Sequence, residues 1–411
     1  MTIVHTIEYL DLSSIKPDPQ NPRTHSKKQT KQITDSVQQF NFFNPILVRA
    51  ETSEIICGHG RYRAAQMLGW EEIPVIRISG LSNAEAVALR IADNKIALNA
   101  GWDPDLLRVQ LGEVELAGLN VEITGFSVGE IDLSLVPAAD PSDDAPLAVP
   151  VTPVTRPGDV WVCGHHRVCC GNLLDGTSLS ALMAGELADA VVTDPPYNVR
   201  INGFANAKGR HREFEMASGE MTDDEFRAFI AAFMALFIEY SRNGAVHFLC
   251  MDWRHIEELI GAGRAAYGDF LNLCVWNKSN AGMGSLYRSK YELIAVFRVG
   301  DAPHFNAVEL GKHGRNRTNV WEYASVNSFV GSRREDLALH PTVKPAALVA
   351  DAVQDVTRRG EIVLDGFLGS GTLLIACERT GRRARGLEID PAYVDVAVER
   401  WMAMTGREAV R

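Results

Sequence analysis

Two apolar strands that each end in a turn suited to a ligand constrain this chain more than any other feature. Ala190-Val191-Val192-Thr193 gives way at once to Asp194-Pro195-Pro196-Tyr197, and Ile362-Val363-Leu364-Asp365 to Gly366-Phe367-Leu368-Gly369-Ser370-Gly371-Thr372. Short β-branched runs followed by tight turns and helical stretches are the repeating unit of a parallel sheet covered on both faces. From residue 158 onward the pattern predicts strands at 188–193, 244–250, 271–276, 291–299, 362–365 and 385–389, with helices at 223–240, 343–357 and 371–380. That is a doubly wound α/β sheet, in which ligands bind outside the carboxyl ends of the strands. Both turns fall there.

The chemistry of the first turn is specific. Two successive prolines fix the backbone and remove two N–H donors, leaving a rigid loop that displays the Asp194 carboxylate, main-chain carbonyls and the face of Tyr197. The exocyclic amine of a nucleobase is a poor nucleophile because its lone pair is delocalised into the ring. Two acceptors gripping its hydrogens localise that pair, and an aromatic ring holds a base extruded from the duplex. The second turn, strand to glycines to helix, lets backbone approach a bound nucleoside closely. Its G-x-G is too short for the dinucleotide fingerprint. Glu388, at the end of the next strand, is the candidate acceptor for ribose hydroxyls.

Further motifs follow in order: Gly158-Asp159-Val160-Trp161, His166-Arg167-Val168, Trp276-Asn277-Lys278, His340-Pro341-Thr342-Val343-Lys344-Pro345 and Gly386-Leu387-Glu388-Ile389-Asp390-Pro391. Together residues 158–404 resemble the β arrangement of DNA amino-methyltransferases, in which D-P-P-Y precedes F-x-G-x-G. The resemblance implies a Rossmann-like, S-adenosylmethionine-dependent methyltransferase sheet acting on N6 of adenine in double-stranded DNA, by base flipping and direct in-line transfer. It implies that Asp194 and the carbonyls of Pro195 and Pro196 grip the amine while Tyr197 stacks on the base. It places Asp365, Phe367, Gly369, Ser370, Gly371, Thr372 and Glu388 around the cofactor, Asn172 near its adenine, and Thr342 and Lys344 near its amino-acid end. Gly366 stands where the family usually has proline and Asn172 where it often has aspartate, so a looser loop and weaker cofactor binding are expected. Cytosine N4 is the alternative target, and a partition-like DNA-binding switch with an inactive methyltransferase half is the alternative from another class.

The family reading also supplies a target-recognition segment at about 304–339, with Lys312, Arg315, Arg317 and Arg333 among aromatics Trp321 and Tyr323. Basic side chains beside aromatic ones suit phosphate contact and base stacking. A loop over 198–221, carrying Arg210 and Arg212, is expected to close over DNA.

Ahead of this half, strands near 45–49, 54–57 and 73–78 alternate with helical runs, predicting a second, small α/β unit. Lys16-Pro17-Asp18-Pro19-Gln20-Asn21-Pro22-Arg23 and Gly58-His59-Gly60-Arg61-Tyr62-Arg63-Ala64-Ala65 resemble the N-terminal boxes of ParB-like partition proteins. The resemblance implies that Gly58, Arg61 and Arg63 can hold nucleotide phosphates, with CTP or ATP as the ligand and a homodimer left open. His59 occupies the place of the reactive cysteine of the related sulfiredoxins, which argues against reductase chemistry. The expected division is 1–136 for this domain with a helical extension, 137–157 for a linker holding six of the chain's 18 prolines, and 158–411 for the methyltransferase.

Composition narrows the setting. Seven cysteines, an odd number, suit a reducing compartment, and no apolar run reaches the roughly 20 residues of a membrane span; the expectation is a cytoplasmic, nucleoid-associated protein of the restriction-modification kind. A net charge of -11 excludes a coat-like binder that holds DNA by total charge, though not a local basic cleft. Cys163, His165, His166, Cys169 and Cys170 mimic a metal cluster, but they flank a Gly-His-His turn that predicts a hairpin, and no metal is expected.

Overall fold

A computed structural model describes residues 6–136, 140–145, 147–199, 217, 219–281, 286–308, 310, 317–324 and 344–411. The chain divides into two units, Met1–Leu135 and Val136–Arg411.

The first unit carries a four-stranded sheet in the order β1-β4-β2-β3, with β1 Ile7–Asp11, β2 Ile46–Arg49, β3 Ile55–Cys57 and β4 Glu72–Ile78. β2 runs parallel to β4 and the outer pairs are antiparallel. Ile46, Val48, Ile55, Ile73 and Val75 alternate inward and pack with Ile15, Tyr62 and Ala65. Helix His59–Leu68 starts from Gly58, whose φ of +104° suits a residue without Cβ. Two later helices, Pro104–Leu116 and Val128–Leu135, close on Leu111, Val121 and Ile131. The second begins with reciprocal bonds between Ser127 and Glu130 that satisfy its first amides.

The second unit is built on a nine-stranded sheet in the order β11-β9-β10-β8-β7-β12-β13-β6-β5. In chain order these are β5 Val160–Cys163, β6 His166–Cys170, β7 Ala188–Thr193, β8 Ser241–Met251, β9 Asp269–Lys278, β10 Tyr291–Arg298, β11 Val320–Tyr323, β12 Ile362–Asp365 and β13 Arg383–Glu388. The run from β8 to β6 is parallel, as the apolar strands predict, whereas β10 is antiparallel to both neighbours. Apolar side chains fill both faces. Phe226, Ile230, Phe233 and Phe237 of helix Asp223–Glu239 press on one, and Leu348, Val349 and Val353 of helix Ala346–Val356 on the other. β5 and β6 form the predicted hairpin, with Cys163, Cys169 and Cys170 buried. Among the described residues no helix is long and apolar enough to cross a membrane.

The described part of the proline-rich stretch binds the second unit through its own donors and acceptors. Val154 and Thr155 donate backbone N–H bonds to Asp395, and the Thr155 hydroxyl adds a third. Asp143 accepts from Arg379, and Asp144 accepts the Ala346 amide, capping from a distance a helix whose own cap residue is Pro345.

Glu378 ties the hairpin to the last helix, accepting from Trp401 Nε1 at 2.8 Å and from Arg407, with His166 Nε2 at 2.9 Å. Burial pushes its carboxyl up, but His166, Trp401 and Arg407 together hold it down at about 2. A depressed carboxylate contributes stability above its unfolded pKa of about 4.5 and loses it as pH falls toward 2. Glu378→Gln is therefore expected to cost about 2–3 kcal/mol at pH 7. The urea midpoints of parent and variant should converge as the pH is lowered below about 4.5.

Candidate active site

In the sheet, β7 leads on to β8 on one side while β12 leads on to β13 on the other, so the segments leaving β7 and β12 part and open a crevice at their carboxyl ends. The two strand ends are tied. The Thr193 hydroxyl donates to Asp365 Oδ1 at 2.5 Å, and the Phe367 amide donates to the same oxygen at 2.9 Å. Burial pushes Asp365 up to about 7 against those two bonds.

On the β7 side the 194–197 turn presents a carboxylate that is held and still reachable. Lys344 Nζ pairs with Asp194 Oδ2, the Tyr197 hydroxyl donates to Oδ1, and the Asp194 side chain is 28% exposed. Burial lifts the Asp194 carboxyl above its ordinary value, opposed by the Lys344 ammonium. Burial alone would lower Lys344; Asp194 and Glu292 hold its proton and carry it well above the ordinary lysine value. Lys344 also lies 3.0 Å from Glu292, which in turn pairs with Lys278. Asn198 follows with φ +53° and joins the ends of the next segment, its Oδ1 accepting from Gly219 and Met221.

On the β12 side the glycine turn wraps over the end of β13. Leu368 donates to Leu387, and Gly369 to Glu388 Oε2 at 2.8 Å; Glu388 Oε1 accepts from Asp390 at 2.9 Å. Burial pushes Glu388 up to about 7 in spite of those amides. Arg400 donates to the Ser370 carbonyl and hydroxyl from behind, so this serine faces an arginine. Gly371 opens helix Thr372–Thr380 at φ +86°, where a Cβ would stand 2.6 Å from that of Ala397. Phe367 packs edge-on against Phe229 and Phe233.

Several expectations change. Gly366 does not loosen the loop: a Cβ there would meet Leu173 at 2.7 Å and Phe237 at 2.8 Å, so the position is packed. Asn172, just beyond β6, spends its carbonyl on the Leu174 amide. Arg317 is not presented to DNA, because its guanidinium donates to Asp351 and Asp355 and to the Tyr323 hydroxyl, leaving its charge already matched. Trp321 and Tyr323 lie in strand β11, where Trp321 is buried and Tyr323 bonds Asp351, so they serve the core rather than a base. Thr342, Arg210, Arg212, Lys312, Arg315 and Arg333 lie outside the described residues. Sequence reasoning missed Glu292, an acid opening the apolar strand Tyr291–Arg298. Lys278 stood in a quoted motif without a role.

In the first unit a cavity of about 300 Å³ is lined by Asp18, Asn21, Arg23, His59, Tyr62 and Arg63 among others. The Asp18 amide donates to His59 Nε2, and burial foremost lowers His59 to about 4, so the ring is a neutral acceptor. Arg63 lines the cavity, whereas Arg61 folds back over Gly58, the guanidinium 3.1 Å from where a Cβ would stand.

Residues 188–399 match the family model described as DNA methylase, of the N6/N4 type. Residues 2–95 match the ParB N-terminal domain, and residues 105–157, which take in the proline-rich stretch, match the ParB-methyltransferase HTH domain. The ParB-like nuclease domain-containing protein YnaK of Escherichia coli (strain K12) is 44% identical over 79 residues, 19% of this chain and 90% of that protein. Type II methyltransferase M.HpaI of Haemophilus parainfluenzae is 24% identical over 250 residues, 57% of this chain and 74% of that protein. Among solved structures, PvuII DNA methyltransferase (cytosine-N4-specific) is 16% identical, with a TM-score of 0.44, covering 57% of this chain and 85% of its own.

The glycine turn yields a test of packing that is independent of any ligand. Gly371→Ala combines a left-handed φ with a clash against Ala397. It is expected to destabilise the second unit by about 1–3 kcal/mol, seen as a lowered thermal midpoint.

Proposed function

The chain belongs to the N6/N4 DNA methylase family and carries a ParB N-terminal domain ahead of it; from that premise we propose that it transfers a methyl group from S-adenosylmethionine to N6 of adenine in duplex DNA. The observation that carries this reading is a carboxylate, Asp194, on a proline-fixed turn at the mouth of the crevice, reachable from solvent and faced by the glycine turn. Aspartate rather than serine before Pro-Pro-Tyr favours adenine over cytosine.

The crevice suits the cofactor. Glu388 is a buried acceptor at the end of β13 with the Gly369 amide beside it, fitting a ribose diol. Phe367 and the backbone of residues 369–371 line the approach, and Asp365 holds the turn from below. When bound, S-adenosylmethionine supplies an electrophilic methyl group. Asp194 accepts one hydrogen of the target amine, a carbonyl of Pro195 or Pro196 accepts the other, and the lone pair is thereby localised toward the methyl. Tyr197 stacks on the flipped base. The surplus proton of the methylated amine passes to Asp194, whose raised pKa suits it to receive one. Positioning supplies most of the acceleration and no covalent enzyme intermediate is needed.

The N-terminal domain, taken as residues 1–136, acts in this reading as a DNA-binding or regulatory module, with residues 137–157 leading into the methyltransferase. Its cavity, with Arg63 and Arg23 exposed to a phosphate, is the place for CTP or ATP.

Incubation of the protein with labelled S-adenosylmethionine and mixed-sequence duplex, followed by digestion and mass spectrometry, is expected to yield N6-methyladenine. N4-methylcytosine would overturn the base, and no methylated base would overturn the enzyme. Asp194→Ala should lower turnover by on the order of 10³-fold or more while DNA binding, read by gel shift, stays near that of the parent.

Glu388 predicts a pH dependence for the cofactor. Ribose hydroxyls donate to the ionised carboxylate, so binding strengthens as pH rises through about 7 and weakens below it. Calorimetry at pH 6 and pH 8 should show affinity on the order of five- to tenfold weaker at the lower pH. Glu388→Gln should bind weakly at both and lose most of that slope.

A further inference from the structure

Four charges alternate in sign beneath the crevice: Asp194, Lys344, Glu292 and Lys278. The Lys344 and Glu292 side chains are only 6% and 9% exposed. The transfer step derived above uses Asp194 and leaves the other three without a role. Lys344 alone would be enough to neutralise Asp194. Glu292 adds a second buried carboxylate, which is costly to desolvate and repels the first. Its place follows from topology: β10 runs against its neighbours, so its first residues reach the edge where the parallel strands end.

We propose that Glu292 is a positioning residue for methyl transfer, acting through Lys344 as the second acceptor that lets the ammonium release Asp194 when the amine arrives. This rests on the reading of Asp194 as the amine's acceptor. Each Asp194 oxygen already has one partner in the structure, Lys344 at Oδ2 and the Tyr197 hydroxyl at Oδ1. A carboxylate oxygen can accept a second hydrogen, but it grips an amine hydrogen most strongly when an ammonium does not already match its charge. The other hydrogen-bond neighbour of the Tyr197 hydroxyl among the described residues is Lys344 Nζ at 3.4 Å, a donor without a lone pair, so the hydroxyl has no second acceptor there. Lys344 does have one, 3.0 Å away on Glu292. Its release of Asp194 is a shift between two carboxylates rather than the unpairing of a buried charge. Lys278 stands behind Glu292 and over the Trp276 ring, 4.8 Å from its centroid. Burial raises the Glu292 carboxyl, but the two lysines outweigh it and keep it ionised.

The test is Glu292→Gln in the full chain, assayed with labelled S-adenosylmethionine and mixed-sequence duplex across pH. The groups facing Asp194 are Lys344, Tyr197, Glu292, Cys250 from β8 and Asp365 from β12. Without the Glu292 charge, Lys344 stays on Asp194, which is then more firmly ionised and less available. The expected result is a kcat lowered on the order of 10- to 100-fold with both KM values within about threefold of the parent. The acid limb of the kcat profile should move to lower pH. An unchanged kcat, or a loss of activity with the acid limb unmoved, overturns the proposal. Should Glu292→Gln fail to fold, Glu292→Asp keeps the charge but withdraws the acceptor by one methylene: a kcat lowered by a smaller factor with both KM values near the parent supports the proposal, and a parent-like kcat overturns it. Asp194→Asn separates the two readings: parent-like activity in that variant sinks the role of Asp194 itself. An inactive Asp194→Asn beside a parent-like Glu292→Gln sinks only the role of Glu292.

Discussion

The pairing of β7 with β12 carries the rest of the second unit. These strands are neighbours in space though far apart in the chain, and the hydrogen bond from Thr193 to Asp365 locks their carboxyl ends at one level. Everything with chemical promise is measured from that bond. The proline turn leaves from one side of it and the glycine turn from the other, because the sheet continues in opposite directions from the two strands. A shear of one residue between β7 and β12 would put Asp194 and Glu388 at different depths and leave neither turn facing the other.

Charge burial is the second organising theme. A crevice that holds a carboxylate sheltered yet reachable from outside needs counter-charges supplied from deeper in the protein. Lysines on two different segments and a glutamate on an antiparallel strand meet that need as a row of alternating sign. Such a row is stable only when complete, since removing any member strands a neighbour in a poorly solvating medium. The glycine turn is supported in a comparable way from behind, by an arginine that donates to the carbonyl and hydroxyl of Ser370, while the Gly369 and Gly371 amides donate to Glu388 and Leu368.

The parallel strands and their turns were legible because their signals are local: β-branched runs, prolines, glycines, and an acid at a strand end. What depends on register was not. Glu292 enters the site only because β10 runs backwards, and nothing in Tyr291-Glu292-Leu293-Ile294 states its direction. Trp321 and Tyr323 were read as stacking aromatics because arginines flank them, yet four residues pairing with β9 make them core. Arg317 misled for the same reason, since its partners Asp351 and Asp355 lie more than 30 positions away. Gly366 looked like slack where a proline is usual, and only the packing of Leu173 and Phe237 against it reveals a tight fit. In the first unit a helical run over 61–68 was legible, though the helix begins two residues earlier at His59, but which arginine turns toward the cavity was not, because Arg61 and Arg63 differ only in the face of the helix they occupy.

The β5 end of the nine-stranded sheet has a consequence for association. An open strand edge is a template on which another molecule can add a strand. Here Val162 exchanges both of its backbone bonds with Val410, and the Arg411 guanidinium lies over the Trp161 ring. The outermost strand is thus closed by residues 410 and 411 of the same chain, at the point where edge-to-edge pairing would otherwise begin.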